Sequence, residues 1–247
     1  MRDLEDLIEE AEAADVTGWG FGYLDGRATE ERPPWGYAHL LAEHLAQVDS
    51  ALDLDTGGGE VLSEAPVLPP HMVATEAWEP NAQRARELLG PRGVRIVPGT
   101  AELPDASFAL VTSRHPVVPD FPEIHRLLRP GGAYLAQHVG PASCFELIEW
   151  FLGPQPEARK GRDPQAEAAR AEAAGLVVDE IRTATCRIEY HDVGAIVWIL
   201  RKCPWWVPGF TAGEHLPRLR ELDARLRVGE PFVDASTRHL VRAHRPH

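Results

Sequence analysis

The chain has 247 residues, with 25 Lys and Arg against 38 Asp and Glu, and a formal charge of −13. Apolar residues make up 44% and charged residues 26%, a globular composition that excludes a disordered, collagenous or disulfide-dense chain. The cations are outnumbered and dispersed, which argues against a broad nucleic-acid surface, since phosphate binding needs clustered Lys and Arg. Cys144, Cys186 and Cys203 form no C-x-x-C pair, so neither a zinc knuckle nor a redox motif is visible. Their odd number, and an acidic rather than basic N-terminus, lead us to expect a cytoplasmic protein. No apolar run reaches the ~20 residues that span a bilayer.

Leu4, Leu7, Ile8 and Ala11 recur at helical spacing and predict a helix over 3–14. Residues 18–36 (GWGFGYLDGRATEERPPWG) read as an aromatic loop, and residues 37–48 as a second helix with Tyr37, Leu40, Leu41, Leu45 and Val48 on one face. We expect residues 1–36 to form a lid and residues 37–247 the main domain. From here the pattern alternates. Strands are predicted over 51–54, 71–76, 94–97, 108–113 and 133–138, with helices over 81–89 and 121–128 between them. Such alternation implies a parallel, doubly wound α/β sheet with ligands at the strand carboxyl ends. Residues 154–163 read as a polar linker and 166–174 as an Ala/Glu-rich helix. A strand is predicted over 177–189 and again over 237–243, with a helix over 216–227. Residues 193–202 are apolar throughout and fit a strand or a buried helix.

The chemistry concentrates at the first of these strands. Ala51-Leu52-Asp53-Leu54 runs into Thr56-Gly57-Gly58-Gly59-Glu60, and Glu76 ends the next strand 17 residues after Gly59. A strand, a glycine turn and an acid about 20 residues on form a nucleotide-binding arrangement. Glycines let backbone N–H groups approach the ligand, and the carboxylate accepts from both ribose hydroxyls.

LDLDTGGGE, VATEAWEPN, FALVTSRHPV and EIHRLLRPGGAYLAQHVG together resemble the successive motifs of class I S-adenosylmethionine-dependent methyltransferases of the small-molecule type. The resemblance covers roughly residues 35–140. It implies a Rossmann-like, seven-stranded mixed sheet with an N-terminal helical lid. It implies S-adenosylmethionine as cofactor, S-adenosylhomocysteine as product, and methyl transfer to oxygen or nitrogen of a small molecule. On this resemblance Asp53, Gly57 and Gly59 lie under the methionine part of the cofactor. Glu76 holds the ribose, with Ala77 and Trp78 beside the adenine. Thr100, Ala101 and Glu102 form the adenine turn, and Tyr37, Ser113 and Arg114 are further cofactor neighbours.

The chain departs from the family twice. Asp55 stands where the family has its first glycine, so its side chain must point away from the cofactor. Thr100 stands where relatives carry an Asp for the adenine amino group. These departures keep open a protein that binds the cofactor without methylating, and an RNA methyltransferase is the other alternative. Arg27, after Tyr23, occupies a segment that similar enzymes fold over the cofactor. As general base, His115 at the end of its strand is the first candidate and His138 the second, because an imidazole can take a proton near neutral pH. Trp205, Trp206 and Phe210 could wall an acceptor pocket or fill the core. His39 and His44 are five apart and miss the i, i+4 spacing of helical metal ligands, so no metal site is expected.

Overall fold

The computed structural model describes residues 2–18 and 20–247; Trp19, in the aromatic loop, lies outside the described residues. In chain order the elements are α1 (Leu4–Ala13), β1 (Ala28–Glu30), α2 (Tyr37–Leu45), β2 (Ser50–Leu54), α3 (Glu60–Ser63), β3 (His71–Thr75), α4 (Glu79–Leu89) and β4 (Arg95–Val97). They continue with β5 (Phe108–Arg114), α5 (Phe121–Leu127), β6 (Leu128–Val139), α6 (Phe145–Leu152), α7 (Pro156–Arg159) and α8 (Pro164–Ala173). The last four are β7 (Val177–Tyr190), α9 (Val193–Lys202), α10 (Leu216–Arg227) and β8 (Phe232–His244). The strands are ordered β1-β7-β8-β6-β5-β2-β3-β4.

The chain divides into two compact units, and the long strands β7 and β8 contribute to both. One unit comprises residues 33–140, 162–184 and 238–247. Here β2, β3, β4, β5 and β6 pair in parallel, and β8 returns antiparallel to β6 from Arg238 to His244. The first four residues of β2 are buried, as both faces of a central parallel strand are covered by helices. From β2 the chain winds outward through β3 and β4, then returns to β5 on β2's other side. The carboxyl ends of β2 and β5 therefore flank the point where strand order reverses, which is where open α/β sheets bind ligands.

The other unit comprises residues up to 32, 141–161 and 185–237. Its core is α9, buried on nearly all sides. Asp192 caps that helix by accepting from the Ala195 N–H at 2.8 Å. Lys202 Nζ donates to the carbonyls of Val16, Thr17 and Gly18 at 3.0, 3.0 and 2.6 Å. Trp198 Nε1 donates to the Asp15 carbonyl at 3.0 Å. These bonds pin the segment that follows α1.

The sheet has eight strands rather than the seven expected. The extra one, β1, arises inside the aromatic loop, where Ala28, Thr29 and Glu30 pair with Tyr190, Glu189 and Ile188. Three residues on an edge carry no periodic signal. Residues 145–152 form a helix the sequence reading did not mark. Residues 193–202 resolve as helix. β6 begins at Leu128 and takes in Arg129-Pro130-Gly131-Gly132 through an irregular register opposite Phe108 and Leu110, so that segment stops α5 without interrupting the strand. β8 begins at Phe232, five residues earlier than predicted, and the polar linker contains the one-turn α7.

Candidate functional site

The glycine turn is shaped by packing as much as by any ligand. Gly59 has φ 85°, and a Cβ there would lie 2.6 Å from Leu89 Cδ1. Only glycine allows α4 this approach while the chain turns into α3. Asp55 also has positive φ, 53°, a conformation that Asp tolerates better than most side chains. That explains a glycine at this position in similar sequences. Its N–H donates to Thr75 Oγ1 at 2.9 Å, which ties the turn to the end of β3. Partial burial of its carboxyl, and then the nearby Glu76, push the Asp55 pKa up.

Asp53 is buried at the end of β2 and accepts from the Thr112 hydroxyl at 2.6 Å. Burial dominates over that bond and raises its pKa to about 6. The Thr56 hydroxyl adjoins it yet completes no hydrogen bond. Glu76 follows β3, where its Oε1 accepts from the Trp78 N–H at 2.7 Å. Trp78 is 48% exposed beside it. Thus the strand ends bring Asp53, Asp55, Gly57, Gly59 and Glu76 to one edge, with Ser113 and Arg114 at the end of the adjacent β5.

The turn after β4 is less open to a ligand. The Thr100 side chain lies against Glu123 and its carbonyl accepts from Arg126 at 3.2 Å, while Ala101 and Glu102 are exposed. Tyr37 is 6% exposed, and its hydroxyl donates to the Ser113 carbonyl at 3.1 Å. Arg27 stacks over Tyr23 at 4.4 Å and donates to Glu10 at 2.7 Å. Trp206 and Phe210 pack against the core around α9, whereas Trp205 is exposed.

The two histidines differ. His115 has φ 57°, and its Nε2 lies 3.1 Å from Gln137 Nε2. Trp35 Nε1 donates to Gln137 Oε1 at 2.8 Å. An indole can only donate, so the Gln137 amide is fixed with its NH2 toward His115. The His115 Nε2 lone pair is therefore occupied. Burial first, then the charges of Arg114, Arg238, His138 and Arg162, hold the His115 pKa well below its ordinary value.

His138 lies on the opposite face of β6, 2% exposed. Its Nδ1 donates to Glu167 Oε1 at 2.6 Å, since a carboxylate only accepts. The tautomer is thereby set, and Nε2 accepts from the Tyr134 hydroxyl at 2.9 Å. That hydroxyl adjoins the Ser113 hydroxyl, which is buried without a completed hydrogen bond. Burial keeps Tyr134 a neutral phenol, its pKa far above the usual value. Ser113, Tyr134, His138 and Glu167 thus form a buried polar row. Glu167 and Tyr134 were not foreseen. Glu167 is one of two glutamates in an Ala/Glu-rich helix, and no local signal distinguishes it. Tyr134 alternates in register with His138, a pattern that could have suggested the pair.

Residues 52–136 match the family model described as a methyltransferase domain. No curated relative matches the chain in sequence. Among solved structures, the chain is similar to the YcgJ protein of Bacillus subtilis, with 18% identity and TM-score 0.60, covering 85% of this chain and 98% of that one. A Bacillus halodurans protein described as a candidate methyltransferase gives 17% identity and TM-score 0.60 over 85% and 99% of the two chains. The [4+2]-cyclase SpnF gives 15% identity and TM-score 0.54 over 98% and 92%, so one fold serves more than one chemistry. Residues 52–136 thus carry the sequence pattern of a methyltransferase domain, set in an α/β fold that the chain shares with these solved structures.

Proposed function

We propose that this enzyme methylates oxygen or nitrogen of a small-molecule acceptor. The observation that carries this reading is the set of open polar valences at the strand reversal: the buried Thr56 and Ser113 hydroxyls without partners, beside Asp53 and Glu76. Buried polar groups are rarely left unpaired without a functional reason. The residues present fit the cofactor. Glu76 retains acceptor capacity for ribose hydroxyls, the exposed Trp78 offers an aromatic face, and Gly57 and Gly59 admit close backbone approach. When bound, S-adenosylmethionine supplies a methyl group already activated on a sulfonium.

The chain's own task is then to orient the nucleophile, exclude water and accept one proton. We assign proton acceptance to His138 in preference to His115, whose lone pair already serves Gln137. The acceptor's X–H donates to Ser113 Oγ, Ser113 O–H to the Tyr134 oxygen, and Tyr134 O–H to His138 Nε2. One proton moves in and the Glu167 carboxylate stabilises the resulting imidazolium, so charge and atoms balance.

Calorimetric titration with S-adenosylhomocysteine tests the cofactor site. Binding is expected, and Glu76→Ala should weaken it by ~1.5–3 kcal/mol, the range for a hydrogen bond to a charged group. Unchanged affinity in that variant would remove Glu76 from the site, and absence of binding to the wild type would overturn the reading. Imidazole 15N NMR tests the relay: the neutral His138 ring should carry its proton on Nδ1. A ring protonated on Nε2 would exclude His138 as the proton acceptor.

A further inference from the structure

Beyond the ends of β5 and β6, a cavity of about 310 Å³ lies between residues 116–119 and α8, within the range of small-molecule sites. Its walls differ in chemistry. Val117 and Val118, 88% and 68% exposed, supply an apolar side. His138, Glu167, Arg162 and Arg170 supply a polar one. The two acids that line it are already engaged: Glu167 accepts from His138, and Asp163 caps α8 by accepting from the Ala166 N–H at 2.8 Å.

The two arginines are not engaged in this way. Glu167 acts on Arg162 only through its charge, and among the described residues neither guanidinium makes a hydrogen bond or a close ion pair. Arg170 lies over the Phe121 ring at 5.7 Å. Arg162 sits at φ 62°, a left-handed conformation that costs energy in a residue with a side chain. The fully buried His239, itself hydrogen-bonded to Thr183 at 2.8 Å, contacts the Arg162 carbonyl at 3.1 Å and holds it there. Arg114 and Arg238 lie close enough to depress the His115 pKa further, and Arg238 also acts on Arg162. A protein of net charge −13 thus places two guanidinium groups, Arg162 and Arg170, on the wall of one cavity. An anion bound there would supply Arg162 and Arg170 with charge-assisted hydrogen bonds.

We propose that this cavity receives the methyl acceptor and that the acceptor is an organic anion, a carboxylate or a phosphomonoester. Its anionic group pairs with Arg162 and Arg170 and its apolar body lies on Val117 and Val118. This identification of the substrate class rests on the methyltransfer reading above.

The test is ligand-observed NMR in phosphate-free buffer with 4-hydroxybenzoate, phenyl phosphate and the neutral 4-hydroxybenzamide, run with and without S-adenosylhomocysteine. The two anions should bind and compete with each other, and the tighter one identifies the headgroup. The amide should bind at least about tenfold more weakly, the equivalent of losing one charge-assisted contact. Arg162→Gln combined with Arg170→Gln should weaken anion binding by at least about tenfold, and the double Lys variant should retain it within about threefold. Equal binding of the amide, anion binding indifferent to the Gln substitutions, or no anion binding up to about 20 mM, far weaker than working substrate affinities, would each overturn the proposal. S-adenosylhomocysteine titration of the same samples separates the two readings. Cofactor binding without anion binding defeats the acceptor class alone, whereas loss of cofactor binding defeats the methyltransfer reading and leaves the anion result standing.

Discussion

Asp53 and Asp234 lie in different units and are alike in one respect: each is buried, and burial raises each pKa to about 6. Their hydrogen-bond surroundings are opposite. Asp234 accepts from the backbone N–H groups of Ala235, Leu147 and Glu146 at 2.7, 3.1 and 3.3 Å, so its acceptor capacity goes to the first turn of α6. Asp53 accepts from one hydroxyl, stands beside a second that completes no bond, and has Asp55 and Arg114 as charged neighbours. Equal pKa shifts therefore accompany different roles. One carboxyl is used up by the fold, and the other is left with capacity at the kind of strand end where open α/β sheets bind ligands. Unspent hydrogen-bonding capacity, rather than the shift, is what distinguishes the acid of the proposed site.

The sharpest way to break this comparison is to remove the structural acid. Asp234→Ala strands the buried Leu147 N–H and unpairs the part-buried N–H groups of Glu146 and Ala235, a buried donor without a partner costing ~1–3 kcal/mol. A loss of about 2–3 kcal/mol in urea unfolding is expected, with affinity for S-adenosylhomocysteine unchanged. A loss of affinity as large as the loss of stability would erase the distinction between the two acids.

Asp53→Asn removes the charge and keeps an acceptor for Thr112. The folded protein holds the Asp53 proton up to about pH 6, whereas the unfolded chain releases it near 3.8. The cost of ionising the buried acid is absent below 3.8 and complete above 6, so stability falls as pH rises through that window. The difference is at most about 3 kcal/mol. Asp234 contributes in the same window and Asp55 in the same direction, so the Asp53→Asn variant should show a shallower, not an abolished, fall in stability when unfolding is followed from about pH 4 to 7. An unaltered slope would place the titration elsewhere.

The smallest effect is expected at Asp55. Glycine in its place relieves a left-handed conformation and a carboxylate that faces Glu76, which should stabilise the fold by about 1 kcal/mol. Cofactor affinity should stay equal or become tighter. A marked loss of affinity in calorimetry would show that Asp55 makes a contact of its own.

Much of the first unit was legible because its signals are local. The glycine turn, the acid at the end of β3 and the alternation of strands with helices each occupy a short window, and each falls at the expected strand end. Asp55 was legible as an exception, and its positive φ supplies the reason. The second unit was legible only in pieces. α1 and α10 have clear periodicity, but β1 is three edge residues, and α9 is apolar on every side as far as Leu200, which leaves no period to separate helix from strand.

Composition and short-range pattern alone determined the α/β class, the glycine turn and the positions of Asp53, Gly59 and Glu76 at strand ends, because strand ends and turns are set by neighbouring residues, and resemblance to a family added the methyltransferase motifs. Tertiary structure decided which titratable groups meet. Glu167 reaches His138 only when α8 packs on the sheet, and Arg162 is held by His239 from a strand far along the chain. Gln137 is oriented by Trp35, 102 residues away, and that orientation occupies the lone pair of His115. Proton chemistry depends on distances of about 3 Å between hydrogen-bonded groups. Contacts of that length between remote residues are made by the packing of elements and leave no periodic trace in the chain.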